Sequence, residues 1–346
     1  MNKGFSGVIG QEPAAEIFSK AIDSKRLGHT YLFAGPEGVG KLHFALALAR
    51  VLLCDKGTGC PSERASRAVG QCRSCNWAEK GAHPNLHVNE VPEDKQTISI
   101  DTVRQVEDEI AMRPFITGSR IFIFNDADRM DQDAANALLK SLEEPPKDCI
   151  FILVTAHPES ILPTVVSRCQ TIHFYPIKQV ILEKFFTDNL KVTQPEARLL
   201  AYLSDGSIGS GMRIHSSNIL DQRKWLIDSL CADNPFQDIS FGMMDYAKSG
   251  NASMEKQREK IIQQFKMIGL FLRDILLSGY IKDIFVINQD KAGEIKKWYK
   301  AVNTDSVRLA IEQILAGEQY IRLNANITLV TENILLNVSR LLRKAS

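Results

Sequence analysis

A glycine-rich turn between a predicted strand and a predicted helix constrains this chain more than any other feature of its sequence. Residues 35–41 match the G-x-x-x-x-G-K pattern of phosphate-binding loops, with glycine at Gly35, Gly38 and Gly40 and the lysine at Lys41. Glycines let backbone N–H groups wrap an anion, the helix dipole favours negative charge, and the lysine reaches the outer phosphates. The pattern predicts an α/β P-loop fold whose loop could hold ATP or ADP.

Two positions that normally serve Mg²⁺ in such a site carry unsuitable side chains. Leu42 follows Lys41 and lacks the hydroxyl that Ser or Thr would offer the metal. The predicted strand Ile121–Phe124 is followed by Asn125 and Asp126, where an acidic pair would hold the metal and polarise the attacking water. Asn125 is neutral and a weaker ligand. We therefore predict that this chain hydrolyses ATP negligibly.

Strand-like and helix-like segments alternate up to residue 176. The clearest buried strands are Thr30–Ala34, Arg120–Phe124 and Cys149–Val154, and helical patterns separate them. Such alternation favours a parallel sheet covered by helices on both faces. Beyond that point long apolar stripes of helical period dominate. We predict an α/β domain over residues 1–176, a small helical domain over 177–217 and an all-helical domain over 218–346.

Four of the seven cysteines follow the predicted loop helix in the pattern C-x5-C-x11-C-x2-C. Four thiolates suit tetrahedral Zn²⁺, and the C-x2-C pair supplies the usual chelating turn. We predict a structural zinc in a module at about residues 54–87, within an irregular insertion over 54–96. The predicted ligands are Cys54, Cys60, Cys72 and Cys75. The long gap before Cys72 leaves His83 and His87 open as replacements for Cys60.

Charge and hydropathy exclude several classes of protein. The formal net charge is +1, so this chain is not a strongly basic nucleic-acid coat. It has no run of about 18 apolar residues, so no membrane span is expected. The N-terminus lacks the apolar core of a signal peptide, and we expect a cytoplasmic location.

Several longer strings resemble the clamp-loader ATPases of bacterial DNA polymerase III, which are AAA+ proteins. The most specific strings are AANALLKSLEEPP at residues 134–146 and Ser-Arg-Cys at 167–169. Residues 8–11 (VIGQ) also resemble the opening box of that family, and residues 322–327 (RLNANI) resemble the start of its last helix. The likeness is strong over residues 5–176 and weak over the C-terminal helices. It implies an AAA+ module with a zinc insertion, then a helical lid and a helical collar.

Two subunit types of that family share these motifs: the ATP-hydrolysing gamma/tau motor and its stationary delta-prime partner, whose nucleotide site has decayed. Leu42 and Asn125 favour the delta-prime type, and the motor type is the alternative. A DNA-binding adaptor that retains the fold is a third reading. The resemblance implies gamma/tau and delta subunits, a sliding clamp and, through the assembled complex, primed DNA as partners.

The same resemblance implies roles for two further residues. Arg168 would reach across a subunit interface as an arginine finger to the γ-phosphate of ATP in a neighbour, a task that suits a permanently charged, forked guanidinium. The alternative for Arg168 is a structural ion pair with a carboxylate. Thr155 matches the family's phosphate-sensing position, and the alternative for it is a hydroxyl that bonds the backbone at the strand end.

Overall fold

The computed structural model describes residues 5, 7–57, 60, 72–92, 97–112, 116–232, 235–278 and 286–342. They form two compact units. The first comprises the described residues up to Ile181 together with Gly206–Ser210, and the second comprises Leu182–Asp205 and the residues from Gly211 onward. The finer division of the helical part into two domains stays a prediction.

A five-stranded parallel sheet forms the centre of the first unit. In spatial order the strands run β2-β3-β4-β1-β5. Every residue of β4 is buried, as expected for a strand that is covered on both faces. The strands are β1 (Thr30–Ala34), β2 (Leu86–Asn89), β3 (Arg120–Phe124), β4 (Cys149–Thr155) and β5 (Gln170–His173).

Helices cover both faces of this sheet. Alternate residues of β1 enter two separate apolar clusters, with Phe33 on one face and Leu32 on the other. The cluster around Phe33 includes Phe18 and Phe44 from two helices, which pack ring to ring. The helices are α1 (Glu12–Asp23), α2 (Lys41–Leu52), α3 (Arg73–Glu79), α4 (Ile100–Ala111), α5 (Gln132–Glu143) and α6 (Pro163–Val166), with 3-10 turns at Ala127–Arg129 and Pro158–Ser160.

The predicted α/β P-loop fold is confirmed, but the irregular insertion over residues 54–96 was wrong in part. That segment contains α3 and the strand β2, which pairs in parallel with β3. Only Leu86 of the four residues in β2 is buried, and only Ile172 of the four in β5. Both are edge strands, so neither carries the continuous apolar run that reveals a central strand. Residues 61–71 of the insertion lie outside the described part of the chain.

All secondary structure described in the second unit is helical. Its longest helix, α12, packs on α14, and α14 packs on α15. Among the described residues, no helix is long and apolar enough to cross a membrane. The helices are α7 (Gln179–Leu190), whose first residues lie in the first unit, α8 (Gln194–Leu203), α9 (Ile208–Ser216), which likewise starts there, α10 (Ile219–Cys231), α11 (Phe236–Lys248), α12 (Met254–Leu277), α13 (Ala292–Ala301), α14 (Thr304–Arg322) and α15 (Ile327–Leu342), with a 3-10 turn at Gln289–Lys291.

A buried polar network ties α10 and α12 to the turn before α13. Arg223 donates from Nε and Nη2 to Asn288 Oδ1 and also pairs with Asp290. Asn288 in turn donates from its backbone N and its Nδ2 to Asp274 Oδ2, at 2.8 and 2.7 Å. Asp274 is fully buried, and desolvation raises its pKa. The network therefore fixes the turn at Asn288 against the two helices.

Candidate functional site

The glycine-rich loop joins the carboxyl end of β1 to the first residue of α2, with Gly40 as the N-cap of that helix. Gly38 has φ +70°, which a side chain disfavours, and a Cβ there would lie 2.2 Å from Ser207 Oγ. The backbone N of Gly209 also donates to Gly38 O at 3.3 Å. The segment Gly206–Ser210 therefore packs directly on the phosphate loop within the first unit.

Lys41 lies inside the loop and bonds to it. Its side-chain Nζ donates to Gly35 O and Pro36 O, each at 2.6 Å, and the residue is only 6% exposed. Burial lowers the pKa of Lys41, and nearby carboxylates, above all that of Asp126, oppose that shift. The lysine that would reach a phosphate is thus held by the carbonyls of its own loop.

The two positions that would serve Mg²⁺ offer it little. Leu42 is half-buried and packs against the apolar cluster that contains Phe33. Asn125 donates from Nδ2 to Glu90 Oε1 at 3.3 Å. Asp126 is exposed and has φ +53°, and its pKa is raised first by desolvation and then by the charge of Asp128. Leu42 therefore offers a metal no ligand, and Asn125 offers at most a neutral amide oxygen in place of a carboxylate.

Thr155 lies buried at the end of β4, and its hydroxyl is already engaged. Its Oγ1 donates to Asp128 Oδ1 at 2.5 Å and accepts the backbone N–H of His157 at 2.9 Å. Because β3, β4 and β1 are neighbours in the sheet, the residues that follow them meet at one edge. The predicted residues Lys41, Asn125 and Thr155 therefore come together there.

Sequence reasoning missed two residues that shape this edge. Gln11 is 2% exposed and donates from Nε2 to Val39 O at 3.1 Å and to Tyr175 O at 2.9 Å, so it ties the loop to the chain after β5. Ser207 accepts the backbone N–H of Ser210 at 2.9 Å while its Oγ faces Gly38. In the sequence, these two residues are marked only by the strings VIGQ at residues 8–11 and DGSIGSG at residues 205–211. Neither string reveals which parts of the chain its residues contact.

The four predicted cysteines form a compact cluster. The sulfurs of Cys54, Cys60, Cys72 and Cys75 all lie within 4.8 Å of one another, and three of the four residues are buried. The Sγ of Cys54 lies 3.8 Å from that of Cys60 and 3.8 Å from that of Cys72. Four sulfurs on a tetrahedral zinc at about 2.3 Å lie about 3.8 Å apart. The cluster could therefore bind a metal ion of this kind.

Neither histidine belongs to that four-sulfur cluster in the described structure. His87 lies on β2, where its Nδ1 pairs with Glu109 at 2.7 Å and its ring stacks on Phe122. His83 is buried and accepts the backbone N–H of Asn85 through Nδ1 at 3.0 Å. Cys72 caps α3, because its Sγ accepts the backbone N–H of Cys75 at 3.5 Å.

Arg168 lies just after α6 and folds back on its own unit. Its Nη1 donates to Thr164 O at 2.7 Å, and its Nη2 pairs with the carboxylate of Glu143, the last residue of α5. The side chain is 32% exposed and that of Glu143 is 48% exposed. The guanidinium therefore sits in an ion pair, with part of its surface open to solvent.

The known proteins to which this chain is similar include subunits of bacterial DNA polymerase III. The model of the family described as DNA polymerase III, delta subunit, matches residues 10–178. The chain is 29% identical to DNA polymerase III subunit delta-prime of Bacillus subtilis over 335 residues, which is 94% of this chain and 95% of that protein. It is 30% identical to subunit tau of the same organism over 223 residues, which is 63% of this chain and 37% of tau.

Among solved structures, the chain is similar to a DNA polymerase III gamma subunit-related protein from Thermotoga maritima. The sequence identity is 18% and the TM-score is 0.38, with 96% of this chain and all of that chain covered.

Proposed function

We propose that this chain, which belongs to the family of bacterial DNA polymerase III clamp-loader subunits, acts as a delta-prime-like subunit that does not itself hydrolyse ATP. The likeness to a delta-prime subunit extends over nearly the full length of both proteins, whereas tau is matched over about a third of its length. The proposed location is the cytoplasm, where the chain would help to load a sliding clamp on primed DNA.

The observation that carries the proposal is the state of the phosphate loop. Hydrolysis needs a metal ion held at the outer phosphates. At the two positions that would serve this ion, Leu42 packs against the apolar cluster around Phe33, and Asn125 donates from Nδ2 to Glu90. Bound ATP or ADP is compatible with the glycines, but Leu42 supplies no metal ligand and Asn125 only a neutral one, so we expect no efficient turnover.

The proposed contribution to ATP turnover lies in a neighbouring subunit. Arg168 would act there as an arginine finger, for which its permanent charge and its partial exposure at the end of α6 are suited. Supplied in trans, such a finger can speed hydrolysis by orders of magnitude. This role gives a subunit with a poor site of its own a reason to retain the Ser-Arg-Cys string.

The proposed assembly uses the helical part of the chain. Residues 177–217 would form the lid, and residues 218–346 the collar that joins gamma/tau and delta subunits in a ring. The exposed apolar side chains of Leu315, Tyr320, Leu323 and Leu329 on α14, on α15 and between them are suited to such an interface. We also propose that the four-cysteine cluster holds one structural Zn²⁺, which would tie α2 to α3 and supply no chemistry.

The first test is the steady-state ATPase activity of the isolated chain. We expect negligible turnover, because the site lacks both the hydroxyl at position 42 and the charge at position 125. Turnover on the order of 1 s⁻¹, within the ordinary range of enzymes, would instead support an active motor of the gamma/tau type.

The second test is the clamp- and DNA-stimulated ATPase of the complex reconstituted with gamma/tau and delta subunits. Arg168→Ala should lower turnover at the neighbouring site that receives the finger by about 10³-fold or more, and the stimulated turnover of the complex should fall by that site's share. Arg168→Lys should restore it only in part, because an ammonium lacks the planar fork. Arg104→Ala is the matched control, since Arg104 is exposed on α4 and, within the described parts of the chain, its only ion pair is with its helix neighbour Asp101. Unchanged turnover in a complex confirmed by gel filtration would show that Arg168 is structural.

A further inference from the structure

We propose that Glu143 acts as a positioning residue that holds the guanidinium of Arg168 in a retracted position and releases it when a phosphate of the neighbouring subunit arrives. The inference rests on the proposed function, because it assigns a partner to the finger. In this proposal, the ion pair between Glu143 and Arg168 within the chain competes with the contact between Arg168 and a phosphate bound by the neighbouring subunit.

The geometry brings two signature strings together. Glu143 belongs to the string at residues 134–146 and is the last residue of α5, whereas Arg168 follows α6. The carboxylate of Glu143 pairs with Nη2 of the guanidinium, and Thr164 O accepts a hydrogen bond from Nη1. In this position the guanidinium turns back toward its own helix, so two of its nitrogens are occupied by partners within the chain.

The backbone that carries Arg168 is fixed, so only the side chain has to move. Arg168 O accepts the hydroxyl of Thr30 at 2.7 Å, and its backbone N donates to Val165 O at 3.1 Å. The Nε of Arg168 is buried and has no hydrogen-bond partner among the described residues. A guanidinium offers five N–H donors, and one of them thus stays unused in the retracted position.

The pair with Glu143 is suited to exchange rather than to permanent fixation. The Arg168 side chain is partly exposed and that of Glu143 is exposed, and ion pairs at the surface contribute little to stability. Glu143 also lies at the carboxyl end of α5, where the helix dipole disfavours a negative charge and the pair relieves that cost. A nucleotide phosphate carries more negative charge than a carboxylate and can also accept two donors of the guanidinium, so it should displace Glu143.

The test is Glu143→Gln in the reconstituted complex, with stimulated ATPase measured across ATP concentrations. Glutamine keeps the shape and removes the charge that competes with phosphate. We expect the ATP concentration at half-maximal rate to fall by up to about fivefold, the range of an exposed ion pair, with kcat unchanged. Glu144→Gln is the matched control, because Glu144 is the next residue and is exposed, and its substitution removes the same charge. It should leave the half-saturating concentration unchanged.

Three outcomes separate the two proposals. The double variant Glu143→Gln/Arg168→Ala should match Arg168→Ala alone, because Glu143 acts through Arg168. If Arg168→Ala lowers turnover while Glu143→Gln behaves as wild type, the proposed retraction by Glu143 is wrong, but the proposed role of Arg168 as an arginine finger is supported. If Arg168→Ala has no effect, the finger itself is wrong and the retraction falls with it. Glu143→Ala provides a second variant, and circular dichroism of each isolated chain verifies its fold.

Discussion

Replacing one cysteine of the cluster tests the proposed zinc site most directly. The sulfur of Cys54 lies 3.8 Å from that of Cys60 and 3.8 Å from that of Cys72. In a regular tetrahedron the edge is about 1.63 times the arm, so a central ion would lie about 2.3 Å from each sulfur, the usual Zn–S distance. We expect one zinc per chain and four sulfur neighbours at about that distance in X-ray absorption.

The cost of losing one ligand follows from the affinity of such sites. Structural zinc binds with an apparent free energy of about 10–16 kcal/mol, so one ligand of four contributes roughly 3 kcal/mol. Cys60→Ser should therefore weaken zinc binding by at least about 100-fold in a competition titration with a chromophoric chelator. Cys231→Ser is the control, because Cys231 lies at the end of α10 outside the cluster. Absence of zinc from fresh reduced protein, nitrogen neighbours around the metal, or unchanged affinity in Cys60→Ser would refute the all-cysteine site.

Two further predictions concern stability and are measured by urea unfolding followed by circular dichroism. Gly38→Ala should lose about 1–3 kcal/mol more unfolding free energy than Gly57→Ala, because both positions have φ near +70° but only Gly38 faces Ser207 Oγ. That difference should disappear when both glycine variants are made in a Ser207→Ala background. Burial raises the pKa of Asp274 above 3.8, so the folded chain binds that proton more tightly than the unfolded chain. The stability of wild type relative to Asp274→Asn should therefore fall as pH rises from 3.8 through the raised pKa and then level off, and a rise across that window would contradict the assignment.

Local sequence patterns predicted those parts of the fold whose causes are local. The buried strand Arg120–Phe124 was predicted with its exact bounds, because a continuous apolar run reports burial on both faces. The cysteine spacing predicted the four-sulfur cluster. The edge strand Leu86–Asn89 was missed, because a strand with one covered face and few apolar residues carries little signal. The contact of Ser207 with the phosphate loop and the pair between Glu143 and Arg168 depend on folding of distant segments, which no local pattern reports.

The packing of the phosphate loop gives its motif residues a structural role that does not depend on the proposed loss of hydrolysis. A Cβ on Gly35 would lie 2.2 Å from the backbone oxygen of Phe174, and one on Gly38 would lie 2.2 Å from Ser207 Oγ. Lys41 supplies two hydrogen bonds that close the loop on itself. Gly35 and Gly38 are therefore constrained by packing within the first unit, and Lys41 takes part in hydrogen bonds of the loop, whether or not a nucleotide binds. Positions 42 and 125 would serve only the metal. The fold itself does not require a hydroxyl at the first or a carboxylate at the second, and this chain has Leu42 and Asn125 there. Selection for the fold alone would keep the residues that the packing and hydrogen bonds of the loop require, and would allow the metal-binding side chains to change. This chain displays that pattern.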